Sequence, residues 1–337
     1  MMQASTNTNT TANCAACGKG EEEGGEALKT CISCKMAKYC NRECQLKHRP
    51  QHKKACKQRA AELHEIALFR EPPPNRECPI CLLPMPHEAM TDTLHACCGQ
   101  RICDGCTYGM IFKSNQGKTL QEILRIAKTQ PCPFCRSPPP SSEAVTEKIE
   151  KLATSGNADA YNQLAGDYCT GSNGLPQDMR KANELWLKAG ELGCADAYYH
   201  LGIAYTRGRS VEIDKKKAQY YYELAAMKGH AYARYNLGCI EKERSTGSNI
   251  LNIKRALKHL TISARAGHKM SMDRITENFI LVQDSVSFFG DDHPLSKDNY
   301  ESTLRSYQQR CDEMKSDTRD KAAALYSSQG ESAMYNV

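Results

Sequence analysis

The chain has 337 residues and a formal net charge of +6, with 25% charged and 40% hydrophobic residues, which is room for two or three domains. No apolar run approaches the roughly 18–20 residues of a membrane span, so a membrane-spanning class is excluded. Fifteen of the 19 cysteines lie between Cys14 and Cys135, and only Cys169, Cys194, Cys239 and Cys311 lie beyond.

Residues 1–13 are rich in Ser, Thr and Asn, with no basic stretch leading into an apolar one. They read as a disordered leader rather than a secretory signal. In a chain without an export signal, clustered Cys-x-x-Cys pairs favour metal ligation over disulfides, and a cytoplasmic or nuclear location is the expectation.

The first cluster spans residues 14–56. Cys14-x2-Cys17, Cys31-x2-Cys34, Cys40-x3-Cys44 and His52-x3-Cys56 supply eight donors, enough for two tetrahedral Zn²⁺ sites with no position left for water. Two-residue gaps place both sulfurs on one tight turn. Three-residue gaps place Cys40 with Cys44, and His52 with Cys56, on single helical faces at i and i+4. The basic run Lys47 to Arg59 reads as a solvated face that balances thiolate charge. This spacing, with Tyr39 before its cysteine and Gln45 after the sixth ligand, closely resembles the MYND zinc finger. The resemblance implies that Cys14, Cys17, Cys40 and Cys44 hold one zinc and Cys31, Cys34, His52 and Cys56 the other. Two departures are visible: thirteen residues separate Cys17 from Cys31, slightly more than usual, and Arg49-Pro50 stands where the family often has a tryptophan beside its groove for proline-motif peptides.

Residues 57–77 read as a linker, helical from Lys57 to Arg70 and then stiffened by Pro72-Pro73-Pro74. The second cluster, residues 78–136, opens with Cys78-Pro79-Ile80-Cys81 and closes with Cys132-Pro133-Phe134-Cys135-Arg136. Between them stands Cys97-Cys98-Gly99-Gln100-Arg101-Ile102-Cys103-x2-Cys106. The pattern resembles a RING finger in an all-cysteine variant, Gln100 standing where many such fingers have histidine. By that resemblance Cys78, Cys81, Cys103 and Cys106 form one site. The other needs Cys132, Cys135 and two middle ligands, either Cys97 with Cys98 or His95 with Cys98, the cysteine pair being favoured. The resemblance also implies docking of a ubiquitin-conjugating enzyme through Ile80, between the first two ligands, and Arg136, just after the last.

Four Zn²⁺ held by fifteen thiolates would add seven negative charges, taking the formal +6 to about −1. A nucleic-acid partner is therefore disfavoured.

After the Pro/Ser linker at 137–142 the pattern becomes helical over residues 143–312, with a helix or tail at 313–337. Gly156-Asn157-Ala158-Asp159-Ala160-Tyr161 recurs at Gly193-Cys194-Ala195-Asp196-Ala197-Tyr198, at Gly229-His230-Ala231-Tyr232-Ala233-Arg234, and faintly from Gly267-His268. The glycines stand 37, 36 and 38 residues apart, a period of helical-pair solenoids. Asp178, Asp214 and Asn252, each four residues before an alanine, are expected to cap the second helix of each pair. The four cysteines of this region and Trp186 read as core, as do most of the tyrosines, a few of them lining a concave binding face. His230 and His268 read as turn residues. Leu201-Gly202-x-x-Tyr205, Asp214 with Ala218, and Leu224-Ala225-Ala226-x-x-Gly229 resemble the Sel-one-like repeat, a relative of the tetratricopeptide repeat. The resemblance implies an all-α solenoid of three to four units that binds other proteins. A degenerate fourth unit would place its second helix near Asp298 to Cys311, after a connection through Gly290 to Pro294.

The fold class is thus small zinc-stabilised α+β fingers followed by an all-α solenoid. Two functions compete: a non-catalytic zinc scaffold, and a ubiquitin ligase whose solenoid selects substrate.

Overall fold

The computed structural model describes residues 13–20, 27–74, 76–85, 92–112, 129–244, 250–282 and 296–328. Nearly all of the expected leader and the connection through Gly290 to Pro294 lie outside the described residues. Contacts divide the chain between Arg70 and Glu71 into two units.

In the first unit, β1 (Lys29–Thr30) pairs antiparallel with β2 (Lys38–Tyr39), Lys29 opposite Tyr39 and Thr30 opposite Lys38. Asn41 then takes an extended backbone, and its side chain accepts the Cys44 amide N–H. That N-cap starts α1 (Arg42–Leu68). The helix runs through Pro50, whose ring leaves one backbone carbonyl without its helical donor. It buries only Leu68 along 27 residues, so it has no apolar stripe to hold it against a core. The core of this unit is Cys14, Leu28, Cys31, Cys34, Ala37 and Tyr39, with Cys40, Cys44 and Cys56 packed against it. Half of its fully buried members are therefore metal-ligand candidates. Cys40, expected on a helical face with Cys44, instead follows β2 and precedes α1 by two residues. The i, i+4 geometry holds for His52 and Cys56.

The second unit begins with another small sheet, β3 (Asp92–Leu94) antiparallel to β4 (Arg101–Cys103), followed directly by α2 (Asp104–Phe112). Cys78, Met85, Ile102 and Cys103 form its buried centre, with Met110 and Phe134 against them.

The repeats follow. Ser141 caps α3 (Ser142–Thr154). The pairs are α4 (Ala158–Thr170) with α5 (Met179–Glu191), α6 (Ala195–Arg207) with α7 (Lys215–Met227), and α8 (Ala231–Glu243) with α9 (Ile250–Arg265). Each successive pair packs on the one before. Gly156, Gly193, Gly229 and Gly267 all have φ between 89° and 110°. The residue after each donates its N–H five residues back, as Cys194 does to Ala189 at 2.9 Å and His230 to Ala225 at 3.1 Å. This left-handed cap closes one helix and aims the chain into the next. At three of the four the following residue's side chain then caps the new helix: Asn157 accepts from the Ala160 amide, His230 Nδ1 from the Ala233 amide and His268 Nδ1 from the Ser271 amide, while Cys194 makes no such bond.

Asp178 and Asp214 cap α5 and α7 as the sequence predicts. Asn252 does not: α9 already starts at Ile250, and the Asn252 side chain instead donates to the Arg244 carbonyl. Neighbouring helices approach closely where a glycine faces an aromatic ring. A Cβ on Gly190 would stand 2.4 Å from the Tyr198 ring, and one on Gly202 2.4 Å from that of Tyr222. Trp186 is buried and stacks on His200. The fourth unit is α10 (Lys269–Val282) with α11 (Lys297–Met314), capped by Ser296, and the last helix among the described residues is α12 (Asp317–Ser328).

The second finger and the repeats share one unit because they pack together at two places. At the first repeat, β3 lies against α4, and Arg101 Nη2 and Nη1 reach Asp92 at 3.1 Å and Asp159 at 3.7 Å. Arg76 also pairs with Asp159, and these charges border a polar cleft of about 270 Å³. At the far end of the chain, α12 lies on α2.

Candidate metal centres

The ligand candidates are positioned by one backbone device used five times. In Cys14-x2-Cys17, Cys31-x2-Cys34, Cys78-x2-Cys81 and Cys132-x2-Cys135, the residue after the second cysteine has φ between 55° and 76°: Gly18, Lys35, Leu82 and Arg136. Its N–H returns to the carbonyl of the first cysteine at 2.8–2.9 Å. The turn points both sulfurs to one side. The fifth copy runs from His95 to Gly99, with Gly99 at φ 72° donating to the His95 carbonyl at 2.8 Å.

These turns are completed by residues at strand ends and helix starts. Cys40 directly follows β2 and Cys44 sits in the first turn of α1; Cys103 ends β4 and Cys106 sits in the first turn of α2. A helix start favours the thiolate form. The result is four groups of four donors, each with all ligand atoms within 4.8 Å of one another: Cys14, Cys17, Cys40 and Cys44; Cys31, Cys34, His52 and Cys56; Cys78, Cys81, Cys103 and Cys106; and Cys97, Cys98, Cys132 and Cys135.

The donor spacings suit zinc. Tetrahedral zinc with thiolates at about 2.3 Å requires neighbouring sulfurs about 3.8 Å apart. The observed separations are 3.5 Å for Cys17 and Cys40, 3.7 Å for Cys31 and Cys56, 3.7 Å for Cys78 and Cys106, 3.8 Å for Cys81 and Cys103, 3.7 Å for Cys98 and Cys132, and 3.4 Å for Cys97 and Cys135. His52 presents Nε2, 3.2 Å from Cys34 Sγ.

The electrostatics call for a cation. Burial pushes the Cys14 and Cys31 thiols up, yet hydrogen bonds bring both down to about 6: from the Cys40, Cys17 and Ala16 amides at Cys14, and chiefly from the Cys34 amide and His52 at Cys31. Burial likewise opposes, and the Cys103, Cys81 and Ile80 amides outweigh it, at Cys78, which falls to about 7. Their partners move the other way. Hydrogen bonding with Cys17 and Cys14 lifts Cys40 to about 12, and burial followed by the Cys31 and Cys34 sulfurs lifts Cys56 to about 11. One thiolate suppresses the next, and a divalent ion removes that repulsion and lets all ionise.

Outside the ligands, Tyr39 Oη is 3.0 Å from His48 Nδ1, and the His48 ring stacks on His52 at 5.4 Å. The pair fixes the plane of the His52 imidazole. His48 was not singled out by the sequence, although it stands one helical turn before His52.

His95 takes the first position of its turn by backbone geometry, but the fourth group is closed by Cys97. The His95 ring lies edge-on to Phe134 at 6.1 Å. Ile80 and Leu82 are exposed on the Cys78–Cys81 turn, at 41% and 68%, and Arg136 is exposed after Cys135.

No helix among the described residues is long and apolar enough to cross a membrane. Comparison with known proteins locates the modules. The MYND finger model matches residues 14–56, and the Sel1 repeat model matches 158–194, 195–230 and 231–268. Among solved structures, the chain is similar to a Sel1 repeat protein from Oxalobacter formigenes, at 27% identity, covering 39% of this chain and 96% of that one with a TM-score of 0.35. It is also similar to c5321, a protective antigen of uropathogenic Escherichia coli strains displaying an SLR fold, at 22% identity, covering 55% of this chain and 36% of that one with a TM-score of 0.39. The chain therefore carries a MYND finger and three Sel1 repeats.

Proposed function

We propose that this chain is a zinc-dependent adaptor that binds four Zn²⁺, two per finger, and brings other proteins together through its MYND finger and its repeats. The observation that carries this reading is the closure of all four donor groups. Each offers four protein ligands within 4.8 Å, and a zinc with four protein ligands has no open position for water or substrate. Such sites supply folding free energy rather than catalysis. Fifteen thiols serving as ligands need a reducing compartment, which supports the cytoplasm or nucleus.

In the second finger, Cys97 and Cys98 together complete the site with Cys132 and Cys135. Elemental analysis of purified protein is expected to give four zinc ions per chain, and three for Cys97→Ser. Two ions per chain would remove the second finger from the account, and an unchanged count in Cys97→Ser would reassign the last ligand to His95.

A second reading, a ubiquitin ligase, draws on one observation: Ile80 and Arg136 are both held exposed on left-handed turns or beside them, clear of the ligands. Apolar anchors of that kind contribute on the order of 2 kcal/mol or more at an interface. Chain formation with a panel of conjugating enzymes, abolished by Ile80→Ala at unchanged zinc content, would establish it. Inactivity of the wild type across the panel leaves the adaptor reading alone.

A further inference from the structure

We infer that Arg319, on α12, is a positioning residue for the metal at Cys78, Cys81, Cys103 and Cys106, so that α12 is a working part of the second finger. The inference rests on the zinc reading above.

Three contacts place the guanidinium. Arg319 Nη1 donates to the Pro84 carbonyl at 2.9 Å and to the Met314 carbonyl at 3.0 Å, while Nη2 donates to Cys81 Sγ at 3.6 Å. Pro84 ends the loop that leaves the Cys78–Cys81 turn, where its bridge to Glu77 closes that loop. One planar fork thus ties the loop, a candidate ligand sulfur and the end of α11 together, a geometry that a point-charge ammonium cannot reproduce. Ser316 fixes the start of α12 by accepting the Arg319 amide N–H at 3.2 Å.

The finger is shaped to receive this helix. Gly105 and Gly109 stand one turn apart on α2. A Cβ on Gly105 would lie 2.4 Å from Arg319 Cγ and 3.0 Å from its Cα, and one on Gly109 would touch Thr318 at 3.4 Å. Ala322, one turn after Arg319, is 2% exposed. Small residues on α2 bring the backbone of α12 close enough for a side chain to reach the metal shell.

The electrostatics agree. Four thiolates around Zn²⁺ leave a net charge of about −2, which the guanidinium placed against Cys81 Sγ partly offsets. A donor to a ligand sulfur withdraws charge and fixes its lone pairs, and such outer partners typically change metal affinity by about 10- to 100-fold.

The test uses full-length, zinc-loaded protein with release to a chromogenic chelator, and ¹¹³Cd NMR of the cadmium-substituted form. Arg319→Ala is expected to release one of the four ions about tenfold faster than wild type, leave the other three unchanged, and shift one cadmium resonance at undiminished helical circular dichroism. Arg319→Lys, which keeps the charge and loses the fork, should fall between. Lys321→Ala, an exposed neighbour on the same helix, should match wild type. Cys81→Ser identifies the ion, because the fast phase of Arg319→Ala must vanish when the two substitutions are combined. Uniform acceleration of all four ions, or wild-type release from Arg319→Ala, would overturn the assignment. If Cys81→Ser costs no zinc, the site does not carry the ion, and the zinc reading there fails together with the inference.

Discussion

The two fingers solve the same coordination problem with different support. Each interleaves two donor groups, with a left-handed turn, a short antiparallel pair and a helix start in matching roles. The first is its own unit, with a six-residue core in which half the residues are candidate ligand cysteines. The second shares a unit with the repeats, anchored by Arg101 to Asp159 at one end and by Arg319 at the other. Metal can substitute for a core where there is none, and the same metal motif becomes one element among several once a larger body adopts it.

Metal removal should separate the two most strongly. A structural zinc contributes roughly 10–16 kcal/mol of apparent folding free energy in small fingers, more than a domain of this size has in reserve. A fragment of residues 13–70 is expected to lose its dispersed NMR spectrum in strong chelator. A fragment of residues 71–337 should retain most of its helical circular dichroism, because its repeats bury a continuous core. Equal collapse of both would erase the contrast. Acid should act like chelator on the first finger. Its Cys14 and Cys31 thiols titrate near 6 when folded against an ordinary value near 9, and zinc drives them lower. At these two thiols the folded state binds fewer protons, so their contribution, complete above pH 9, is lost as the pH falls through the folded values. Zn²⁺ has to offset the opposite shifts of Cys40 and Cys56, raised to about 12 and about 11.

A smaller effect probes the shared support. Asp159→Ala strips Arg76 and the largely buried Arg101 of a common partner, at a cost of about 1–3 kcal/mol. Urea unfolding of residues 71–337 should show a lower midpoint with the zinc content intact. An unshifted midpoint would mean that the finger merely rests on the repeats.

The smallest expected change lies in the first finger alone. Tyr39→Phe removes the hydroxyl from His48, worth about 0.5–1.5 kcal/mol. Zinc should leave the group containing His52 a few-fold faster, at an unchanged rate from the others. If all four ions respond, Tyr39 acts through the fold rather than through the imidazole.

Local features were legible in the sequence and remote ones were not. The Cys-x-x-Cys spacing defines the turns, and the glycines at 37, 36 and 38 residues define the repeats, because each signal lies within one element or one period. Asn252 misled because a capping residue type near the expected start cannot distinguish the cap from the first turn of a helix begun two residues earlier. His95 and Cys97 both fit the spacing, since the turn's first position and the ligand position fall on different residues there. Arg319 left no signal at all: 238 residues separate it from Cys81, and no periodicity reaches that far. Asp159 repeats as Asp196, so it resembles a helix-start residue, and its pairing with Arg101 depends on folding of the finger.

The contact between α12 and α2 has a further consequence for how the chain can vary. An open solenoid can gain or lose a repeat and only become longer or shorter. Here the finger touches the first repeat through β3 and α12 through α2, so the array is a closed circuit of fixed circumference. Adding one helical pair would carry α12 away by at least one interhelix spacing, about 8–10 Å, beyond the reach of any side chain on α2 that a glycine now replaces. Copy number in this array is set by the finger it must meet.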